Sequence, residues 1–398
     1  MKKDSGIIRK VLSLIVLTLA LPVLVNGQLL EDVLLWKFNS GALNNAPLVC
    51  DTVLYFGSMD ANFYAINTNT GAEIWHYKTA YPITSNAAIK DNVVCVESGN
   101  RLYGFESKTG NLLWSYLAST KLPTLGHVTD YHHSSPVIYN NKAYFGDEWG
   151  NINGVDIQTG SLVFQYTIKA AYTKASDFNI RSTPAIKDDI IYFGDFGANV
   201  YAISLKDGSE KWIHKMTPLK WDGSIVSEMI IKDNVLYFGS YNNVFSPLNI
   251  KSGNQIWSFS EPYTYLPSTP VFFEDKVIMG STIKSDSIHC LKVKDGKELW
   301  SIKAKGIFFV KPIIIQDSIL VIKSTNPFED GIGVLYFINC KAGNIISQLD
   351  ITMSTESSPI IMGNKLFIGR KDGMYAIDYK PFLLKIYPID SKLKDKLK

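Results

Sequence analysis

The chain has 398 residues, 46% hydrophobic and 19% charged, with 40 Lys+Arg against 37 Asp+Glu. This is globular composition, with length for one large or two medium domains. Setting aside residues 1–27, which hold four basic groups and Asp4, leaves 36 charges of each sign, so a net-neutral body gives no electrostatic reason to expect a nucleic-acid partner.

Lys2, Lys3, Arg9 and Lys10 form a basic start, and Val11 to Val25 (VLSLIVLTLALPVLV) is an uncharged apolar run. That run is shorter than the about 20 residues of a spanning helix. With small Gly27 following, 1–27 reads as an export signal. No Cys stands near the cut to carry a lipid, and an uncleaved N-terminal anchor is the alternative. Residues 28–390 then read as one domain and 391–398 as a basic, solvated C-terminal tail.

From Val53 the chain repeats itself. VLYFGSMDANFYAINTNTGAEIW (53–75) has an apolar run ending in Gly, a polar gap, a second apolar run, Thr-Gly, and Trp four residues on. The same order returns at 92–114, 142–164, 190–212 and 235–257, and more distantly at 276–300 and 320–347. The turn glycines are 71, 110, 160, 208, 253, 296 and 343; four residues later stand Trp75, Trp114, Phe164, Trp212, Trp257, Trp300 and Ser347. A period near 40–50 residues with strand-length apolar runs points to a propeller. Each unit opens on a short Ser/Thr/Pro-marked strand, such as SSPVIYN (134–140) or STPAIKD (182–188), which makes four strands per blade. The turn before the fourth strand ends in Gly because that position calls for positive φ.

An eighth unit starts at SSPIIMGN (357–364), runs to Lys380, and lacks the fourth strand. Asp32–Gly41 (DVLLWKFNSG) has Trp36 in matching context without preceding strands, and Trp36 to Trp75 is one repeat. The expected fold is therefore an all-β, eight-bladed propeller of four-stranded antiparallel blades, closed by the N-terminal strand, so that no sheet edge is left open at the seam. FLLKIYPI (382–389) is the rival closing strand. The repeated Trp36, Trp75, Trp114, Trp212, Trp257 and Trp300 read as wedges that dock blade on blade. Trp149 and Trp221 break the pattern and lie in loops, where functional residues concentrate.

The run Ala65, Asn67, Thr70, Gly71, Trp75, repeated as Ala202, Ser204, Asp207, Gly208, Trp212, resembles the tryptophan-docking repeat of the pyrroloquinoline quinone (PQQ) enzyme-like β-propellers. The resemblance covers essentially all of the chain after residue 27, and it carries fold more than function. In size and single ring the chain is similar to the BamB-type scaffolds of outer-membrane β-barrel assembly, which implies a non-enzymatic protein that binds an envelope partner. The other branch, the quinoprotein dehydrogenases, implies PQQ and Ca²⁺, a flat aromatic floor, cationic side chains for the quinone carboxylates, an Asp base and a vicinal disulfide. No Cys-Cys pair exists; Cys50, Cys95, Cys290 and Cys340 lie in or beside strand-like runs, as small hydrophobes do.

The sequence offers no catalytic template: G-x-S-x-G, a Walker loop, H-E-x-x-H, an EF-hand and C-x-x-C-H are all missing. His132 and His133 are adjacent, and on an extended segment they face opposite ways, which suits a channel mouth better than a shared metal. Asp147, Glu148 and Asp195 follow second strands and read as solvated loop carboxylates. In a propeller the 4→1 and 2→3 connections share a face. Here they bring Tyr131, His132, Trp149, Tyr172, Phe178, Trp221, Tyr263 and Tyr265 to it, with Arg181 and Lys311 just before first strands. Tyr, Trp and Arg are common interface anchors. The reading is an exported monomeric scaffold, periplasmic or extracellular, that binds a protein partner of the cell envelope through this face. It uses no cofactor or metal; a PQQ- and Ca²⁺-dependent dehydrogenase or a sugar-binding enzyme is the alternative.

Overall fold

Short β-branched and aromatic runs separated by two-residue polar turns can only form hairpins, and the turns in the chain have the backbone that hairpins need. Asn140–Asn141 and Asp188–Asp189, for example, have φ of 46° and 60° and of 52° and 58°, the left-handed pair of a type I′ turn. The computed structural model describes residues 30–119, 133–169, 179–216, 224–262, 264–282, 285–326 and 331–383. Within them the chain forms a ring of eight antiparallel blades. Blade one is Leu48–Cys50, Val53–Gly57, Asn62–Asn67 and Glu73–Lys78, paired in chain order from the inside outward. Blades two (88–117), three (137–167), four (185–215), six (271–303) and seven (313–351) repeat this.

Blade eight consists of Ile360–Met362, Lys365–Arg370 and Gly373–Asp378, and its outer strand is Leu34–Asn39, with Trp36 opposite Ala376. The N-terminal strand thus closes the ring, as the repeat spacing predicts. Of the rival segment 382–389 only Phe382 and Leu383 lie within the described residues, and they end a short helix, Lys380–Leu383. Its Phe382 stacks on Phe337 of blade seven at 5.0 Å and 12°, and Ser347, at blade seven's Trp position, donates from Oγ to the Phe382 carbonyl. A ring supplied from the C-terminal segment fills the gap left by the missing tryptophan.

Blade five departs from the repeat. Its third strand is broken into Val244–Phe245 and Leu248–Asn249, and its outer strand is reduced to Phe259–Ser260. Pro247 sits at the break; it has no N–H for the ladder, and its carbonyl accepts from the Ile256 N–H instead. The loosened outer strand is tied to blade six by His289, whose ring nitrogens meet Glu261 and Glu298, each at 2.8 Å.

The core lies between blades rather than at the ring's centre. Tyr55, Phe63 and Trp75 of blade one pack with Val94, Val96 and Phe105 of blade two, for instance. The repeated tryptophans lie at these seams. Each indole Nε1 donates to a carbonyl three residues before the turn glycine of the next blade: Trp36 to Thr68, Trp75 to Ser107, Trp114 to Ile157, Trp212 to Ile250, Trp257 to Val293 and Trp300 to Cys340, at 2.8–3.1 Å. Each indole also covers that glycine. A Cβ at Gly110 would stand 2.5 Å from Trp75, whereas one at Gly208, which faces blade three's Phe164 position, would meet nothing within 4 Å. Both glycines have positive φ, 74° and 68°. Gly208→Ala is therefore expected to lose about 1 kcal/mol, the backbone penalty alone, and Gly110→Ala about 2–4 kcal/mol, because the indole must also move. Denaturant midpoints measure both, and equal losses would refute the wedge.

Candidate functional site at the channel mouth

In every blade but the seventh, where Val310 stands, the first strand is preceded by a Ser or Asn; a variable residue follows and then, in most blades, Pro. In blades two, four and five the first of these is a clamp on the residue 12 positions later: Ser85 with Glu97, Ser182 with Gly194 and Ser227 with Gly239 both accept from the N–H and donate to the carbonyl. The variable residue is left to face the axis. Ala46, Asn86, Ser135, Thr183, Glu228, Thr269, Lys311 and Ser358, one per blade, line a cleft of about 70 Å³.

These residues also lock to one another around the ring. The N–H of Ala46 donates to Asn86 Oδ1 (2.7 Å), that of Asn86 to Ser135 Oγ (2.8 Å), and that of Ser135 to Thr183 Oγ1 (3.3 Å). Glu228 N–H donates to Thr269 Oγ1 (3.2 Å), and Lys311 N–H to Ser358 Oγ (3.1 Å). Two of the eight carry charge, of opposite sign, and they meet: Lys311 Nζ bonds Glu228 Oε2, while Asn86 Nδ2 donates to Glu228 Oε1 at 3.3 Å. Blades two, five and seven are thereby bridged across the axis.

A second set of charges lies one layer further in. The residue that ends the second strand's apolar run is Gly in six blades (57, 146, 194, 239, 280, 369) but Glu97 in blade two and Lys323 in blade seven, exposed by only 2% and 1%. Glu97 Oε1 caps the Asn100 N–H, and Oε2 stands 3.3 Å from His133 Nδ1. Burial opposes charge on His133, but the carboxylates of Glu97 and Glu148 outweigh it and hold the imidazolium up to about 9. Lys323 Nζ donates to the Gly369 carbonyl at 3.0 Å.

The predicted contact residues divide by position. Tyr131, His132, Tyr172, Phe178, Trp221 and Tyr263 lie outside the described residues. Lys311 lines the cleft. Arg181 is buried, its guanidinium 4.8 Å from the centre of the Phe196 ring and 3.9 Å from Glu148 Oε1. Trp149 and Tyr265 are half-buried. Sequence reasoning missed their neighbours: Tyr241 packs on Tyr265 at 5.7 Å and on Phe309 at 6.2 Å. Tyr241, Tyr265 and Phe309 thus form a half-exposed aromatic cluster, and Trp149 and Phe196 are half-exposed in the 2→3 connections of blades three and four.

Asp147 and Asp195 are buried, not solvated as expected. Asp147 accepts from the N–H groups of Trp149 and Asn151 and from the amides of Asn151 and Asn153. Asp195 accepts from the Asn199 N–H and from Tyr201 Oη at 2.7 Å. Both turn inward to satisfy the N–H groups of a tight 2→3 turn. Glu148 is likewise buried, beside Arg181.

Among the described residues, the cleft does not present the donor set that a quinone with Ca²⁺ calls for. Among the described residues no three His, Cys, Asp or Glu side chains are placed to hold a metal ion. Glu228, one of two carboxylates that line the cleft, is engaged by Asn86 and Lys311, and the cleft has room for only a few water-sized groups. The four cysteines are unpaired thiols, three of them buried.

Comparison with known proteins bears on the family. Among solved structures, the chain superposes on BamB from Moraxella catarrhalis with a TM-score of 0.61 at 18% identity, covering 73% of this chain and 85% of that one. It is similar also to a europium-containing methanol dehydrogenase (TM-score 0.65, 15% identity, 85% of each chain) and to the quinohemoprotein alcohol dehydrogenase of Comamonas testosteroni (TM-score 0.67, 13% identity, 86% of this chain and 76% of that one). At such identities the likeness is one of fold. No curated protein matches the sequence. The family model described as outer membrane protein assembly factor BamB matches residues 30–218 and 181–306, and the docked tryptophans and eight-bladed ring agree with it: the chain belongs to this family of PQQ-like β-propellers.

Proposed function

We propose that the protein is an exported, non-enzymatic scaffold that uses no cofactor and binds a protein partner of the cell envelope through the face carrying the 2→3 and 4→1 connections. The carrying observation is the half-exposed cluster of Tyr241, Tyr265 and Phe309, with Phe309 at the wall of a channel mouth bridged by Asn86, Glu228 and Lys311, and with half-exposed Trp149 and Phe196 in the 2→3 connections of blades three and four. Accessible Trp and Tyr are the residues that most often dominate binding energy at protein interfaces. Membership of the BamB-described family supports an envelope location and a protein partner. No helix among the described residues is long and apolar enough to cross a membrane.

The test is recovery of crosslinked partner from host envelopes by tagged protein, compared with a Trp149→Ala/Tyr241→Ala/Phe309→Ala variant. About tenfold less partner is expected with the triple variant at unchanged circular dichroism. Undiminished recovery would overturn the face assignment. Saturable binding of PQQ with Ca²⁺ and dye-linked alcohol oxidation would overturn the non-enzymatic reading.

A further inference from the structure

The cleft at the ring's axis has a chemistry of its own, and of the rim aromatics only Phe309 reaches its wall. Of the eight residues that face the axis, the two charged ones pair across it, from blade five to blade seven, past the uncharged Thr269 of blade six, while the wall's other ionisable groups are His133, which faces Glu97, and Glu356, which acts on Lys323. The other cross-blade cation contacts join adjacent blades, as Lys187 does to Asn234 and Lys232 to the Glu274 carbonyl. The axial pair is also open to solvent: the side chains are 23% exposed for Glu228 and 38% for Lys311. A pair in that setting contributes little to stability and is readily exchanged.

We infer that this cleft binds a small zwitterion of the α-amino-acid class, its carboxylate on Lys311 and its ammonium on Glu228. Charge balance selects the class. A simple anion that captured Lys311 would leave Glu228 with Asn86 alone, and a simple cation that captured Glu228 would take the carboxylate from Lys311; either exchanges one ion pair for another with little net gain. A zwitterion leaves neither unpaired. The walls suit it as well. The hydroxyls of Ser135, Thr183, Thr269 and Ser358 accept ring N–H groups, and each keeps its own proton to donate to a carboxylate. Thr269 and Ser358 flank Lys311 from the neighbouring blades, which sets the anionic end there. Asn86 Nδ2 already orients Glu228, which sets the ammonium end. The volume of about 70 Å³ suits a molecule of the size of glycine or alanine, and Phe309 and Val226 at its wall tolerate a small apolar side chain. This inference does not rest on the protein-partner reading, whose contacts are the rim aromatics.

Isothermal titration of the whole chain with glycine, L-alanine, acetate and methylammonium tests it. Saturable binding of glycine or L-alanine is expected, with acetate and methylammonium at least about tenfold weaker, and with Glu228→Gln and Lys311→Met each weakening the amino acid about tenfold or more. Thr269→Val with Ser358→Ala, which leaves both charges in place, is expected to weaken it about threefold to tenfold and serves if a charge variant does not fold. Absence of binding by both amino acids up to about 10 mM overturns the inference. So does acetate or methylammonium binding as tightly as glycine, or folded variants binding like the parent.

Discussion

Trp75→Ala is expected to lower the free energy of unfolding by about 3–5 kcal/mol, the range for deleting a large buried aromatic. The indole is 7% exposed and has ring neighbours at 5.8 Å (Tyr55), 5.7 Å (Phe63) and 6.0 Å (Phe105), from both blades of its seam. The Ser107 carbonyl that it bonds is not orphaned by the change, because Tyr55 Oη donates to the same oxygen at 3.0 Å. The loss is therefore mainly one of packing: a cavity opens where two sheets diverge, and rigid sheets cannot collapse to fill it. A two-state denaturant titration measures the effect. A loss below about 1 kcal/mol would mean that the blades hold together without the wedge, and that the periodic tryptophans need another explanation.

How far the sequence reaches can be seen residue by residue. The turn glycines and the tryptophans four residues later are set by local geometry, positive φ and a fixed offset along one strand, so they can be counted in the chain and they give the blade number. Closure by Leu34–Asn39 follows from the same spacing. Pro247 was equally visible, but the strength of the surrounding repeat masked its effect on blade five's third strand. Phe382 in place of a tryptophan at blade seven was not visible, because it comes from a segment outside the repeat. The candidate site was legible in part. Lys311 could be placed at the channel by its position before a first strand. Its contact with Glu228 could not, since no local spacing relates blade five to blade seven across a ring. Glu97 and Lys323 emerge once VVCVES and ILVIKS are set in register with VLYFGS, where each falls on a column of glycines. The carboxylates of Asp147 and Asp195 were misjudged for a physical reason: a loop carboxylate is solvated only if the turn's own N–H groups do not claim it.

Lys323 is the residue whose removal is expected to strengthen the fold. It lies in a strand, 1% exposed, where six other blades place glycine, and burial pushes its ammonium down to about 7, with Glu356 opposing that shift and Arg370 adding to it. The sign of the pH dependence follows. In the unfolded chain a lysine titrates near 10.4, so between about 7 and about 10 the unfolded state holds a proton that the folded state has released. Stability therefore rises with pH across that window and is poorest below about 7. Lys323→Met keeps length and volume but removes the titration. The Gly369 carbonyl that Lys323 bonds keeps Thr355 Oγ1 as a donor at 3.2 Å, and half-exposed Glu356 stays solvated at the cleft. The methionine variant is expected to be more stable than the parent by about 1–3 kcal/mol at pH 6, with the gap narrowing as pH rises from about 7 to about 10. Denaturant midpoints at pH 6 and pH 9 measure it. A variant weaker than the parent at pH 6 would mean that attraction to Glu356 and the bond to Gly369 exceed the desolvation of the ammonium, and that this buried cation supports the ring.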